Sequence, residues 1–192
     1  MTDSLEPAAV QPLLRGCFGR DYRFVERTTS TQRLLDDARE GAVAVAEEQT
    51  EGRGRLGRSW HAKPGTSVLA SVLLEPAVAS ERLPELTLVA GEACAEAIAA
   101  VTGLIPTLKH PNDVLIEGRK VAGVLAEARD GRVVLGIGIN VNASDDDLPA
   151  DTELPAGSVS LAAGREVSRA ELLAELLLRL EQRYDAWASA AR

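Results

Sequence analysis

A chain of 192 residues with 45% hydrophobic content suits one globular domain, and with only 3% aromatics its core has to be Leu, Val, Ile and Ala. The formal net charge of -8 and an isoelectric point near 4.9 argue against a generic nucleic-acid binder. Two cysteines, Cys17 and Cys94, match no metal or redox spacing and read as free thiols in a reducing compartment; with two histidines, a zinc site is short of soft ligands.

The first 20 residues are expected to form a loose N-terminal arm, with residues 21–192 as a single domain. The start lacks the basic residues and apolar run of a signal peptide, and no run approaches membrane-spanning length, so the expectation is a soluble, cytoplasmic protein. Thr28-Thr29-Ser30-Thr31-Gln32 precedes Leu34, Leu35 and Ala38. Thr29 and Gln32 have capping-box spacing, which predicts a helix ending near Gly41, and the hydroxyl cluster suits an anion or polar ligand as well as a cap. Residues 42–46 predict a buried strand, and 67–74 a second one closed by Glu75-Pro76. Leu86, Val89, Ala93, Ala97 and Val101 recur near period 3.6 and predict a helix over 84–101, with Pro84 in its first turn and Gly103 as its stop. Residues 113–116 and 120–126 read as a hairpin around Glu117-Gly118-Arg119. Residues 132–142 give a further strand whose internal Gly136 and Gly138 suggest a ligand or backbone approaching closely. Residues 143–164 read as an acidic loop. Ser168 and Glu171 then form a capping box before a final helix carrying Leu172, Leu176, Leu180, Tyr184 and Trp187. Consecutive hairpin strands with interspersed helices predict an α+β fold: a mixed, largely antiparallel sheet flanked by helices.

Two segments carry chemistry. In Gly52-Arg53-Gly54-Arg55-Leu56-Gly57-Arg58, three glycines interleave with three arginines. The glycines allow tight turns and close approach; the arginines are forked, permanent donors for phosphate or carboxylate. Against the acidic background this favours a small anionic ligand. The glycines also match G-x-G-x-x-G after a strand, but Lys63-Pro64-Gly65 follows too soon for the helix a dinucleotide site needs, and no P-loop occurs. The second cluster is Lys109-His110-Pro111-Asn112-Asp113, with Lys120 past the hairpin turn; taken alone it is equally an ordinary turn with solvated lysines. His61 and His110 are single and make poor catalytic candidates.

Five segments occur in order: Ser30-Thr31-Gln32; Glu48-Gln49-Thr50-Glu51 running into the glycine-arginine loop with Trp60; Lys109 to Asp113; Gly118-Arg119-Lys120-Val121-Ala122-Gly123 with Glu127; and Gly136 to Asn142, containing Asn140. Together they resemble the catalytic domain of biotin protein ligases, over about residues 28–142. The resemblance implies a fold akin to class II aminoacyl-tRNA synthetases. It also implies a two-step reaction in which biotin and ATP, with magnesium, give biotinyl-5′-AMP, and biotin is then transferred to a lysine of a biotin carboxyl carrier domain.

By the same resemblance, Ser30, Thr31 and Gln32 are expected at the biotin ring, and Gln49 near its carboxylate. Gly52, Arg53, Gly54 and Arg55 are expected to close over the adenylate, and Trp60 to shield it near the adenine. Lys120 is expected to grip carboxylate and α-phosphate; Asn112 and Asp113 to arrange nucleotide, metal or acceptor lysine; and Asn140 to reach the adenosine. Lys109 and Gly123 complete the binding set, and Lys120, Arg53 and Asp113 are the expected catalytic residues; no metal ligands are assigned. His110 stands where the family usually has Trp. Neither an N-terminal helix-turn-helix domain nor the family's small C-terminal β-barrel is expected, so DNA is not among the expected partners. A homodimer stays open, and so do a biotin-binding module without turnover and a lipoyl or acyl ligase on the same fold.

Overall fold

The computed structural model describes residues 3–150 and 152–190. In chain order the elements are α1 (Pro7–Val10), β1 (Tyr22–Thr28), β2 (Val43–Gln49), β3 (Ser67–Leu74), α2 (Glu85–Thr102), β4 (Thr107–Lys109), β5 (Asp113–Ile116), β6 (Arg119–Arg129), β7 (Arg132–Asn140), α3 (Val159–Ala163) and α4 (Arg169–Ala190). The strands form one sheet in the order β1-β2-β3-β7-β6-β5-β4. Among the described residues only β1 and β2 pair as neighbouring strands in parallel; the other neighbours are antiparallel, giving the expected mixed sheet.

Period-2 alternation divides the sheet's two faces by residue type. One face presents Val43, Val45, Val68, Val72, Leu74, Leu135, Ile137 and Ile139, which form a continuous core with Leu86 and Ile98 of α2 and Leu172, Leu173, Leu176 and Leu180 of α4. The other face carries Ser71, Gly123, Gly136 and Gly138. In register, Gly138 lies between Leu69 and Gly123, and Gly136 between Ser71 and Leu125. Small and polar residues there leave a hollow, and that hollow is the floor of the site.

The two long helices run antiparallel. Trp187 Nε1, near the end of α4, donates to Glu85 Oε2 at the start of α2 at 2.8 Å, and Arg165, just before α4, reaches the Val101 carbonyl near the end of α2. Arg183 pairs with both Glu92 and Glu96 across the seam.

The structure corrects three expectations and adds an unexpected strand. Residues 3–20 are packed rather than loose: Leu5 and Val10 are fully buried, and Tyr22 Oη donates to the Leu5 carbonyl at 2.7 Å. Arg169, almost fully buried, holds Asp3 and Glu47 together, tying this arm to β2 and α4. The predicted helix after Thr29 is only a short 3₁₀ turn, Thr31–Leu35, and Ser30 makes no side-chain capping bond. The Thr31 hydroxyl is drawn sideways into the sheet, toward Gln49 and Ser71. Residues 143–164 are not simply a loop. They hold a 3₁₀ turn at Asp145–Asp147 and α3, which Ser158 caps by accepting from the Leu161 N–H at 3.3 Å and which Gly164 ends at φ +65°. Edge strand β1 lacks an apolar run, being largely half-exposed, and escapes a pattern based on burial.

The hairpin between β5 and β6 is as expected. Glu117 and Gly118 both have positive φ, 51° and 78°, the type I′ geometry whose twist matches paired strands.

Candidate active site

Two communicating hollows lie on the glycine face. The inner one is a pocket of about 50 Å³ walled by Ser30, Thr31, Gln32, Gln49, Arg53 and Trp60 over Gly123, Gly136 and Gly138. The outer one is a cleft of about 600 Å³, lined by Arg58, His61, Asp113, Asn140 and residues 152–154. Gly54, Arg55, Trp60, Asn112 and Lys120 line both. The inner pocket holds only a water or two at this size, so a larger ligand enters only if Trp60 or the loop above it shifts.

The pocket wall is built from a short polar relay. Gln49 Oε1 accepts from the Thr31 N–H at 2.8 Å and from Thr31 Oγ1 at 3.1 Å, and Thr31 Oγ1 lies 2.7 Å from Ser71 Oγ. With its oxygen so occupied, the Gln49 amide leaves its NH₂ for a ligand. Ser71 is fully buried in an apolar strand. It was not among the predicted residues, although a serine on one face of Ser67–Leu74 was a visible break in the pattern.

The glycine-arginine segment folds back on itself as a small lid. Trp60 N–H donates to the Gly52 carbonyl at 2.8 Å and Gly54 N–H to the Arg58 carbonyl at 2.7 Å, with Arg53 bridged to Ser59. A Cβ on Gly52 would stand 2.3 Å from the Trp60 carbonyl oxygen, so this crossing needs glycine. The tip is a three-residue 3₁₀ turn, Arg55–Gly57, with Leu56 at φ 58°, and no helix follows. The dinucleotide motif is thereby excluded on geometry. Inside the lid, the Trp60 ring rests on the bare backbone of Gly138 and Gly123.

Each lid arginine has a partner across the site. Arg53 reaches Glu127 and Gln32, Arg55 Nη1 donates to Asn112 Oδ1 at 3.0 Å, and Arg58 pairs with Glu153 at 3.2 Å. Asn112 in turn donates to Asp113 Oδ1 at 3.1 Å and to the Val124 carbonyl at 3.2 Å. Lys120 Nζ lies 2.7 Å from Asp113 Oδ1 and 5.5 Å from the Trp60 ring centroid, placing a cation where the two hollows meet. Asn140 lines the outer cleft and is anchored by donating to the Gly157 carbonyl at 3.1 Å.

Lys109 lines neither hollow; it sits on β4 with its amine 4.0 Å from Glu153. His110 is exposed and also outside both, while His61 borders the outer cleft. Glu127 belongs to a segment that carries the resemblance but had no expected role, and Glu153 with Pro149, Thr152, Leu154 and Ala156 is not among the expected site residues. They arrive from distant sequence by strand pairing and loop closure. Among the described residues, no group of three or more His, Cys, Asp or Glu converges as a metal cage, and no helix is long and apolar enough to cross a membrane.

The model of the biotin/lipoate A/B protein ligase family matches residues 24–144. The chain is similar to the bifunctional ligase/repressor BirA of Bacillus subtilis, 41% identical over 176 residues, covering 86% of this chain and 54% of that protein. It is also similar to the biotin–[acetyl-CoA-carboxylase] ligase of Mycobacterium tuberculosis, 37% identical over 157 residues, covering 79% and 57%. This chain thus spans about half the length of these relatives. Among solved structures, the biotin protein ligase of Aquifex aeolicus in complex with biotin and ATP superposes with a TM-score of 0.80 at 32% identity, covering 90% of this chain and 73% of that one. The sheet and helices have the architecture that such ligases share with class II aminoacyl-tRNA synthetases.

Proposed function

The chain belongs to the biotin/lipoate A/B protein ligase family, and we propose that it activates biotin with ATP and transfers it to a lysine of a biotin carboxyl carrier domain. The observation that carries the proposal is the junction: a small polar pocket and a larger cleft share Lys120, Arg55 and Asn112 at their boundary. A reaction joining a carboxylate to a nucleotide needs a cation where two anions meet.

In this reading biotin lies in the inner pocket, its polar ring against Ser30, Thr31 and Gln32 and its chain on Gly123, Gly136 and Gly138. ATP occupies the outer cleft, with Asn140 toward the adenosine. A carboxylate oxygen attacks the α-phosphorus; the new C–O–P bond forms as the bond to pyrophosphate breaks. Lys120 offsets the charge that builds between the two groups, and Arg53 and Arg55 close over it. The acceptor lysine's amine then attacks the acyl carbon, and AMP leaves with the bonding pair. Asp113, already paired with Lys120, sets the position of that ammonium. Trp60 and the lid keep water from the mixed anhydride. Magnesium fits as an ion carried by the nucleotide: the cleft offers Asp113 and Glu153 at its lining, which suits a metal that retains phosphate oxygens and water.

The test uses purified protein with biotin, ATP, magnesium and a carrier domain. Biotin-dependent pyrophosphate exchange and labelling of the carrier lysine are expected. Absence of both defeats the proposal; exchange with lipoate or octanoate in place of biotin would move the assignment to an acyl ligase.

A further inference from the structure

The lid is tied to the sheet by one ion pair of favourable geometry. Glu127 lies on β6 opposite Val134, on the face that carries Gly123 and Leu125. Both of its carboxylate oxygens meet Arg53: Nη1 to Oε1 at 3.1 Å and Nη2 to Oε2 at 3.1 Å. The Nη2 contact is a hydrogen bond and the Nη1 contact a second close approach between the charges; although both side chains are about half exposed, two contacts orient the pair better than one would. By contrast, Arg55 and Arg58 each make a single side-chain hydrogen bond, to Asn112 and to Glu153.

Arg53 Nη2 also donates to Gln32 Oε1 at 3.3 Å. A guanidinium can only donate, so this contact turns the Gln32 amide oxygen toward the lid and its Nε2 toward the pocket. That Nε2 is buried and without a partner, 3.0 Å from where a Cβ on Gly136 would lie. A buried donor with no acceptor is costly until a ligand supplies one. The Glu127–Arg53 pair therefore governs two things together: whether the lid stays shut, and which end of the Gln32 amide meets the ligand.

We propose that Glu127 is a positioning residue that latches the glycine-arginine lid through Arg53 and thereby protects the acyl-adenylate from water. This rests on the ligase reading above for the nature of the intermediate; the latch itself does not.

Trypsin cuts after the lid arginines when the lid opens, so its rate follows the open population. The full chain is compared with Glu127→Gln, which removes the charge, and Glu127→Lys, which reverses it, without ligand and with cleavage sites mapped by mass spectrometry. Cutting after Arg53, Arg55 and Arg58 is expected to quicken roughly fivefold in Glu127→Gln and further in Glu127→Lys, at an unchanged melting temperature. Lid cleavage at the wild-type rate in both variants overturns the latch. So does equal acceleration at arginines throughout the molecule, which would make Glu127 merely structural. In the second readout, AMP formed from biotin and ATP without carrier, taken as a ratio to pyrophosphate exchange, should rise by a similar factor in Glu127→Gln. An unchanged ratio overturns the protective role. If the wild type shows no exchange, the ligase reading fails and the trypsin comparison still decides the latch.

Discussion

The Trp60 ring lies so close to Gly138 that a Cβ there would stand 2.5 Å from Trp60 Cε2. The same ring would meet a Cβ on Gly123 at 3.0 Å. Two paired glycines on adjacent strands thus form a flat seat for one indole, and Trp60 closes the inner pocket from above.

Gly138→Ala is therefore expected to unseat Trp60 without breaking β7, since alanine fits an extended backbone. Overpacking of this kind costs about 1–3 kcal/mol. The cost should fall on the closed lid, weakening biotin binding by roughly tenfold or more. Calorimetric titration with biotin and the Trp60 emission spectrum measure it; unchanged affinity would mean that the seat has no part in binding.

Lys120 and Asp113 form the charge pair at the junction of the hollows, 2.7 Å apart and mostly shielded from solvent. Lys120→Ala removes the cation on which adenylate formation depends in the proposed mechanism. Loss of a charged group aimed at the reacting centre costs about 3–4 kcal/mol, so pyrophosphate exchange should fall at least a hundredfold. Asp113→Asn keeps the shape but leaves Lys120 without its anion, and a smaller loss is expected. Equal, small effects from both would place the reacting atoms elsewhere.

The α2–α4 seam sets an acid limit. Arg82, and then the Trp187 N–H, hold the Glu85 carboxyl down at about 2. The Arg183 guanidinium likewise keeps Glu96 below the usual carboxylate range. A depressed folded-state value contributes stability that is present above the unfolded value and lost as pH falls through the folded one. The melting temperature should thus hold from neutrality to about pH 4.5 and decline below it. Arg183→Gln should flatten the part of that decline due to Glu96. A melting temperature independent of pH down to about 2 would contradict these assignments.

The two cysteines should respond differently to a thiol reagent. Cys94 is fully buried in α2, and burial pushes its thiol up to about 12; Cys17 is exposed. At pH about 8 the native protein should be labelled at Cys17 alone, with Cys94 reacting only in denaturant. Rapid labelling of both in the native state would mean that the helix layer opens readily.

Elements with strong periodicity or punctuation are legible from the residues alone. β3 lies where an unbroken apolar run required it, α2 follows its 3.6-residue stripe to the Gly103 stop, and Glu117-Gly118 dictated the hairpin turn. That something approaches closely at Gly136 and Gly138 was also legible, but the neighbours are the Gln32 and Trp60 side chains rather than a ligand or another backbone. What replaced the expected helix at Ser30–Gln32 was not legible. The Thr31 N–H and hydroxyl are claimed by Gln49 and Ser71, which belong to neighbouring strands and become neighbours only in the sheet. The packing of the N-terminal arm is hidden from the sequence for the same reason: Leu5 and Val10 find their cover on elements far along the chain. Glu127 shows the limit most clearly. It lies in a segment that carries the family resemblance, yet nothing in that segment names a partner, and its distance from Arg53 is 74 positions. Local chemistry fixes what a side chain can donate or accept, but an ion pair needs its two groups held at a set spacing. Only the pairing of β6 with β7 and the folding back of the lid bring that spacing about.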